Sequence, residues 1–413
     1  MSKPLVPPDL DDILVSSAML SDPFPAYARL RQEAPIAWSP RWNAWIVSRY
    51  ADVDVSLRDK ENLSNENRQA LLFDDMAPEQ REALAKLRHY YAQKDVIGSD
   101  PPDHTRMRGL VQKAFTPRTV ASLQPRVETL AREMVEAAVA QGEFDFVADV
   151  AHPLPVVLIA ELLGAPPEDR HLFKRWSSDI LGFQGSGRTA FASALTSQQS
   201  LTELFTYMTT LIEDRRKNPR EDLISVLTAA EENGARLSRD ELLATCNTLL
   251  TAGHETTTNL IGNLLRELLT DPAHWEAIRA QPRLIPNAIE ESLRLDAPKQ
   301  RNFRRIKRAH SFGGVDLPAD QMIFQLIGSA NRDPEVFTNP DRFELERSNA
   351  RDHLSFGAGM HFCLGAGLAR SEATAVLTRL IETAPHLRLS GRPNTWQERA
   401  QFRGPGAVWV RAK

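Results

Sequence analysis

The sequence predicts a mainly α fold with a small β region. Three observations carry that prediction. Apolar residues recur at three- and four-residue spacing through stretches near 103–115, 118–140, 154–164, 167–183, 197–217 and 238–270, as in helices with one buried face. Alternating, Trp-, Ile- and Val-bearing segments are confined to 36–49 and to the strand-and-turn region 303–327, with short strands near the C-terminus. The 27 prolines are spread as punctuation and form no low-complexity linker.

Taken in order, residues 22–34 (DPFPAYARLRQEA) read as a helix capped by Asp22, with Pro23 at its first turn. Residues 36–49 read as a hairpin. From about 60 to 100 the chain is rich in Asn, Asp and Gln with weak periodicity, which predicts a long loop with short helical turns. The 238–270 stretch is unusually long and predicts a helix through the body of the molecule. Helices near 272–280 and 284–295 follow. The segment ANRDPEVFTNPDRFELER, broken at Pro334 and Pro340, is irregular, and a last long helix is expected over 364–384.

Composition excludes several classes. Fifty Lys and Arg against 54 Asp and Glu give a net charge of −4, without the basic excess of a general nucleic-acid binder. Two cysteines, Cys246 and Cys363, are too few for a disulfide scaffold or a four-thiolate zinc ribbon, and they fit a reducing cytoplasm. The opening residues lack a basic flank followed by an apolar run, so no secretion signal is expected. No window approaches the ~18 consecutive apolar residues of a membrane span. A soluble, cytoplasmic protein is the expectation.

The segment Phe356-Gly357-Ala358-Gly359-Met360-His361-Phe362-Cys363-Leu364-Gly365 is the strongest signal in the chain. Glycines ahead of a cysteine allow a tight turn in which backbone N–H groups approach the sulfur. The thiol also opens a helical stretch, whose positive end favours thiolate. Such a thiolate is a nucleophile or a metal ligand. A Cys–His nucleophile needs a base and an orienting third group, and the sequence shows no signature for either. Zinc through His361 and Cys363 lacks a second ligand pair at suitable spacing. Haem needs only one protein thiolate.

The segment resembles the haem-binding loop of the cytochrome P450 superfamily, matching Phe-Gly-x-Gly-x-His-x-Cys-x-Gly at each fixed place. The resemblance implies that Cys363 is the axial ligand of haem b, that Phe356 packs beside the sulfur, and that His361 lies near a propionate.

Four further stretches match the same family in order. Glu291 and Arg294 form its Glu-x-x-Arg; residues at i and i+3 share a helix face, so the pair can reach a common third group. Arg342, in NPDRF, is the expected third partner. Ala252-Gly253-His254-Glu255-Thr256-Thr257 resembles the acid–alcohol pair of the family's long helix. Small residues there mark a kink or close approach, and an acid followed by an alcohol can relay protons into an apolar pocket. Glu255 and Thr256 are thus the expected catalytic residues, with His254 facing away. Asp100-Pro101-Pro102-Asp103-His104 through Arg108 matches a further motif; His104 and Arg108, at i and i+4, can grip one propionate. APKQRNFRR supplies Arg304 as the other propionate partner, with Arg305 as the fallback.

The implied fold is that of a cytochrome P450, a triangular prism with haem buried between the long helix and the cysteine-bearing helix. The whole chain, 1–413, would be one haem-thiolate domain with its β part at approximately 36–60, 303–327 and the C-terminal strands. The implied reaction is reductive O2 activation, inserting one oxygen into a C–H bond of a small to medium organic substrate. Only 50 residues follow Cys363, so no fused reductase is expected. Electrons would come from NAD(P)H through a ferredoxin and its reductase. Arg106, Lys113 and Arg370 are candidates to meet an acidic partner. A monomer is expected. Ile97, Thr251, Ala252, Lys299, Gln300 and Phe402 are expected in the substrate pocket, with a lid at about 180–195. Lys299 at the pocket mouth is suited to an anionic or polar substrate. A peroxide-driven oxygenase or dehydratase, and a haem sensor or electron carrier, are the competing classes. The intact acid–alcohol pair argues against the first, and the lack of a sixth protein ligand against the second.

Overall fold

The computed structural model describes residues 3–412 except 75, 114, 116, 187–190 and 231–235. The chain divides into two compact units. One comprises Met1–Leu63, Leu123–Leu154 and Thr256–Lys413; the other comprises Ser64–Ser122 and Pro155–Glu255.

The first unit carries the β structure. Its strands are β1 (Ile36–Ser39), β2 (Ala44–Val47), β3 (Leu63–Ser64, at the unit's boundary), β4 (Glu143–Asp145), β5 (Asn302–Ile306), β6 (His310–Phe312), β7 (Val315–Leu317), β8 (Met322–Gln325), β9 (Arg388–Leu389), β10 (Thr395–Trp396), β11 (Pro405–Ala407) and β12 (Trp409–Arg411). The main sheet has the order β1-β2-β8-β5-β3. The expected 36–49 hairpin is present, in register Ile36↔Val47 to Ser39↔Ala44. Its second strand pairs in parallel with β8, Trp45 opposite Ile323, which joins the early hairpin to the 303–327 region. Strands β4, β12 and β9 form a separate three-stranded sheet.

One stretch within the expected β part is helical. Tyr50–Arg58 forms a helix because Val53, Ser56 and Leu57 fall on one buried face, with Asp52 in its first turn and Arg58 in its last. Leu57 and Val53 pack with Trp45, Val47, Ile306, Ile323 and Ile327 into one core cluster. Leu354 and Ala358, from the loop that leads to Cys363, belong to the same cluster. The sheet core therefore anchors that loop.

The helices expected at both ends of this unit are present. Phe24–Glu33 starts where Asp22 Oδ1 accepts the Phe24 N–H at 3.2 Å. Pro272–Ala280 is capped by Asp271, which accepts from Ala273 N, and has proline in its first turn. Ile285–Leu295 is buried along most of its length, and Ala366–Thr383 follows the cysteine.

The second unit is helical. It contains Asp103–Gln112, Arg170–Ser186, Phe191–Lys217 and Leu223–Ala229, the last capped by Asp222 on Ser225 N. The polar 60–100 stretch forms short helices at Pro78–Ala83 and Ala85–Tyr91. Of the expected lid, residues 187–190 lie outside the described residues. The long helix is Arg239–Thr270, shared along its length between the two units. Among the described residues, no helix is long and apolar enough to cross a membrane.

Candidate haem-thiolate site

The Cys363 loop is shaped by glycine and closed by backbone hydrogen bonds. Gly357 and Gly359 take φ of +70° and +66°, which a side chain would strain. A Cβ on Gly359 would also lie 3.3 Å from Arg58 Cα. The Gly357 N–H donates to Leu354 O at 2.8 Å, and the Phe362 N–H to Gly359 O at 3.1 Å. The Cys363 N–H donates to Phe356 O at 2.8 Å. The sulfur thus sits on a rigid turn, two residues before the Gly365 cap of Ala366–Thr383. Cys363 is only partly buried. Cys246 differs sharply: it is 1% exposed, and burial pushes its thiol up to about 12. It lies inside the helix Arg239–Thr270.

Phe356 lies beside the loop with three neighbours. The Arg370 guanidinium stands 4.4 Å from its ring centre, and the His353 and Phe362 rings lie at 5.6 and 6.3 Å. Arg370 is expected to meet an acidic partner, but it already pairs with Glu290, Nε to Oε1 at 2.6 Å. His361 falls in the short 3-10 turn Gly359–His361 and is half-buried.

Glu291 and Arg294 pair as the i,i+3 spacing predicts, Nε to Oε2 at 2.7 Å and Nη2 to Oε1 at 2.8 Å, both fully buried. Their third partner is Arg347, however, and not Arg342. Arg347 Nε reaches Oε1 and Oε2 of Glu291 at 2.9 and 3.0 Å. Arg342 is exposed and contributes only its carbonyl, which accepts from Arg294 Nη2 at 2.9 Å. Phe343, Leu345 and Arg347 alternate inward while Arg342, Glu344 and Glu346 are exposed or half-exposed, and this two-residue period selects Arg347.

Arg304 is 4% exposed on β5, where it pairs with Ile323, and its Nη2 donates to Leu57 O at 3.3 Å. Its neighbour Arg305 turns the other way and pairs with Asp320 at 2.6 Å, so Arg304 is the inward cation of the two. Lys299 and Phe402 form an isolated antiparallel bridge, with Lys299 half-buried and Phe402 6% exposed. Gln300 points oppositely: its Nε2 donates to Ala297 O at 2.7 Å and its Oε1 lies against Gly328.

In the second unit His104 is 3% exposed and Arg108 half-buried on Asp103–Gln112. The helix start is fixed by Asp100, whose Oδ1 accepts from Asn65 N at 3.0 Å. Arg106 does not stand open to a partner; it pairs with Glu241 and with Asp103. Lys113 is exposed. Ile97 is half-buried, its N–H held by Asp95 Oδ1 at 2.7 Å.

On the long helix, Thr251 is buried and donates to Asn247 O at 2.8 Å. Ala252 and Gly253 are exposed and Thr256 is half-buried, although the flanking turns are buried. Residues i, i+1 and i+4 share one helix face, so this small-residue face is the open one. Glu255 is 4% exposed and His254 fully buried. His254 does not simply face away: its Nδ1 lies 3.0 Å from Ser177 Oγ and 3.1 Å from Leu250 O, and its Nε2 lies 3.6 Å from Glu255 Oε2. Sequence spacing held no sign of Ser177, which is 77 residues away.

The donor set fits haem better than the alternatives. Among the described residues no three His, Cys, Asp or Glu gather to hold a metal ion. A partly buried cysteine on a loop closed by backbone hydrogen bonds matches the one thiolate that haem takes, and Arg304, buried in the same unit, supplies a cation suited to a carboxylate.

Comparison with known proteins points the same way. The family model described as Cytochrome P450 matches residues 171–384. Cytochrome P450 107B1 of Saccharopolyspora erythraea is 38% identical over 413 residues, covering 98% of each chain. The erythromycin C-12 hydroxylase of the same organism is 38% identical over 354 residues, 85% of this chain and 84% of the relative. The structure of cytochrome P450 CYP109Q5 from Chondromyces apiculatus superposes with a TM-score of 0.85 at 35% identity, covering 96% of this chain and 97% of that one.

Proposed function

The chain belongs to the cytochrome P450 family and is a haem-thiolate monooxygenase, and from that premise we propose which of its residues do the work. Cys363 would hold the haem iron through its thiolate, with Phe356 and His361 bordering it. Arg304, His104 and Arg108 would take the propionates. Bound there, haem supplies O2 activation with two externally delivered electrons, one oxygen atom going to substrate. The observation that carries this assignment is the pinned loop, in which the Cys363 amide is tied to Phe356 O while Cys363 itself is only partly buried.

The chain's own chemistry on the other side is proton handling. Glu255 is buried with its Oε2 3.6 Å from His254 Nε2, and Ser177 in turn lies against the other nitrogen of His254. Thr256 occupies the open helix face next to it and carries a hydroxyl that can orient a water and pass a proton. Ala252, with no side chain beyond Cβ, leaves that face accessible to substrate. Ile97, Thr251, Lys299 and Phe402 complete the proposed pocket, and the half-buried Lys299 ammonium favours substrates with a carboxylate or other polar group.

The electrons come from redox partners. The finer reading is NAD(P)H feeding a reductase and a ferredoxin, with the enzyme a cytoplasmic monomer. The test is turnover with isotope-labelled O2 in a system reconstituted with ferredoxin and reductase. One labelled oxygen atom per product molecule is expected. Reduction of the haem without any labelled product, across a broad substrate library, would instead point to an electron carrier.

A further inference from the structure

Glu290 belongs to none of the motifs, standing one residue before the Glu291 of the Glu-x-x-Arg pair, yet it organises the ground beneath the cysteine loop. It is 2% exposed. Its Oε1 accepts from Arg370 Nε at 2.6 Å, and its Oε2 accepts from Arg370 Nη2 at 2.9 Å, a two-pronged charge-assisted pair. Its Oε2 also lies 3.1 Å from His353 Nε2.

The tautomer of His353 follows from its other nitrogen. The Ser355 N–H donates to Nδ1 at 3.2 Å, so Nδ1 carries a lone pair and the ring proton sits on Nε2, aimed at Glu290. His353 Nε2 therefore donates to the carboxylate that also holds the Arg370 guanidinium. Both groups that Glu290 fixes press on one ring: Arg370 at 4.4 Å from the Phe356 centre, and the His353 ring at 5.6 Å, inclined 52°. Phe356 in turn holds the Cys363 amide on its carbonyl.

We propose that Glu290 is a positioning residue for the Cys363 thiolate, acting through Arg370 and His353 on Phe356. The inference rests on Cys363 being the haem ligand. It adds that the loop's rigidity is set from below by a carboxylate outside the recognised motifs.

The test is the haem-loaded enzyme carrying Glu290→Gln, Arg370→Gln or both. Hydrogen exchange of the 356–365 segment is read by mass spectrometry, and the thiolate-type reduced-CO band is followed over time. Losing a charge-assisted bond from a local opening equilibrium predicts exchange about tenfold faster in either single variant. Decay of the thiolate-type band should accelerate in parallel. The double variant should be no worse than the more affected single one, because both changes break one link. Should Glu290→Gln fail to fold, Arg370→Gln, whose side chain is 37% exposed, carries the same comparison. Wild-type exchange and band lifetime in the single variants would overturn the proposal, as would simple additivity in the double. A wild-type enzyme without a thiolate-type band would fail the haem-ligand reading itself, a result distinct from unchanged variants.

Discussion

Arg347 and Glu291 meet through Nε at 2.9 and 3.0 Å with both side chains almost fully buried, and this contact ties the irregular 331–347 segment to the helix Ile285–Leu295. The same guanidinium also donates to Thr338 O at 2.6 Å. Two arginines thus share one carboxylate, and their remaining nitrogens donate to the Asn331, Thr338, Asn339, Pro340 and Arg342 carbonyls of the segment they organise.

Breaking one partner of a buried pair leaves an uncompensated charge. Arg347→Ala should therefore destabilise the folded enzyme by about 3–5 kcal/mol. Arg342→Ala, which keeps the carbonyl that Arg294 uses, should stay within about 0.5 kcal/mol of wild type. Thermal unfolding of the two variants side by side decides between them. Equal losses would contradict the assignment.

The proton relay predicts an uncoupling signature. Thr256→Ala should bind substrate with a normal spectral shift but waste electrons, with product per NAD(P)H falling and peroxide rising. Because a positioned proton donor contributes about 100-fold or more, product formation should drop by at least about tenfold even if some water substitutes. Unchanged coupling with no extra peroxide would remove Thr256 from the mechanism.

Glu290 gives a pH signature with a definite sign. Burial raises its carboxyl, but the bonds from His353 and Arg370 outweigh this and hold it down at about 2, below its ordinary 4.5. A lowered folded-state value stabilises the protein above the unfolded value and loses that contribution as pH falls toward about 2. The stability gap between wild type and Glu290→Gln should be on the order of 3 kcal/mol near neutral pH and should close progressively below about pH 4.5. A gap that does not change with acidification would contradict the held-down carboxylate.

Glu372 predicts the opposite slope. It is 2% exposed on Ala366–Thr383, and burial pushes its carboxyl well above 4.5. The folded protein keeps this proton when the unfolded chain has released it, so stability falls as pH rises through that interval. Glu372→Gln removes the titration. Its melting temperature relative to wild type should climb as pH rises above 4.5, and a flat difference would show that the group is ionised in the folded state.

What could be read from the sequence was what neighbouring residues determine. The helix Pro272–Ala280 is marked by its own cap at Asp271, and the Glu291–Arg294 pair by i,i+3 spacing on one helix. The loop of Cys363 is marked by glycines whose conformation no other residue adopts easily. Features set by distant chain were hidden. The strand Glu143–Asp145 has only three residues and exists because Trp409–Arg411 pairs with it. The contact of Ser177 with His254 joins two helices that share no pattern, and the choice of Arg347 over Arg342 depends on which way a proline-broken segment turns.

The central claim is that Cys363 binds haem iron as a thiolate. The reduced-CO difference spectrum of the purified enzyme tests it most directly, beside the Cys363→Ser variant and a Cys246→Ser control. A thiolate-type band in wild type and in Cys246→Ser, absent in Cys363→Ser, is the predicted result. A wild-type spectrum without that band, or one that survives loss of the Cys363 sulfur, would contradict it.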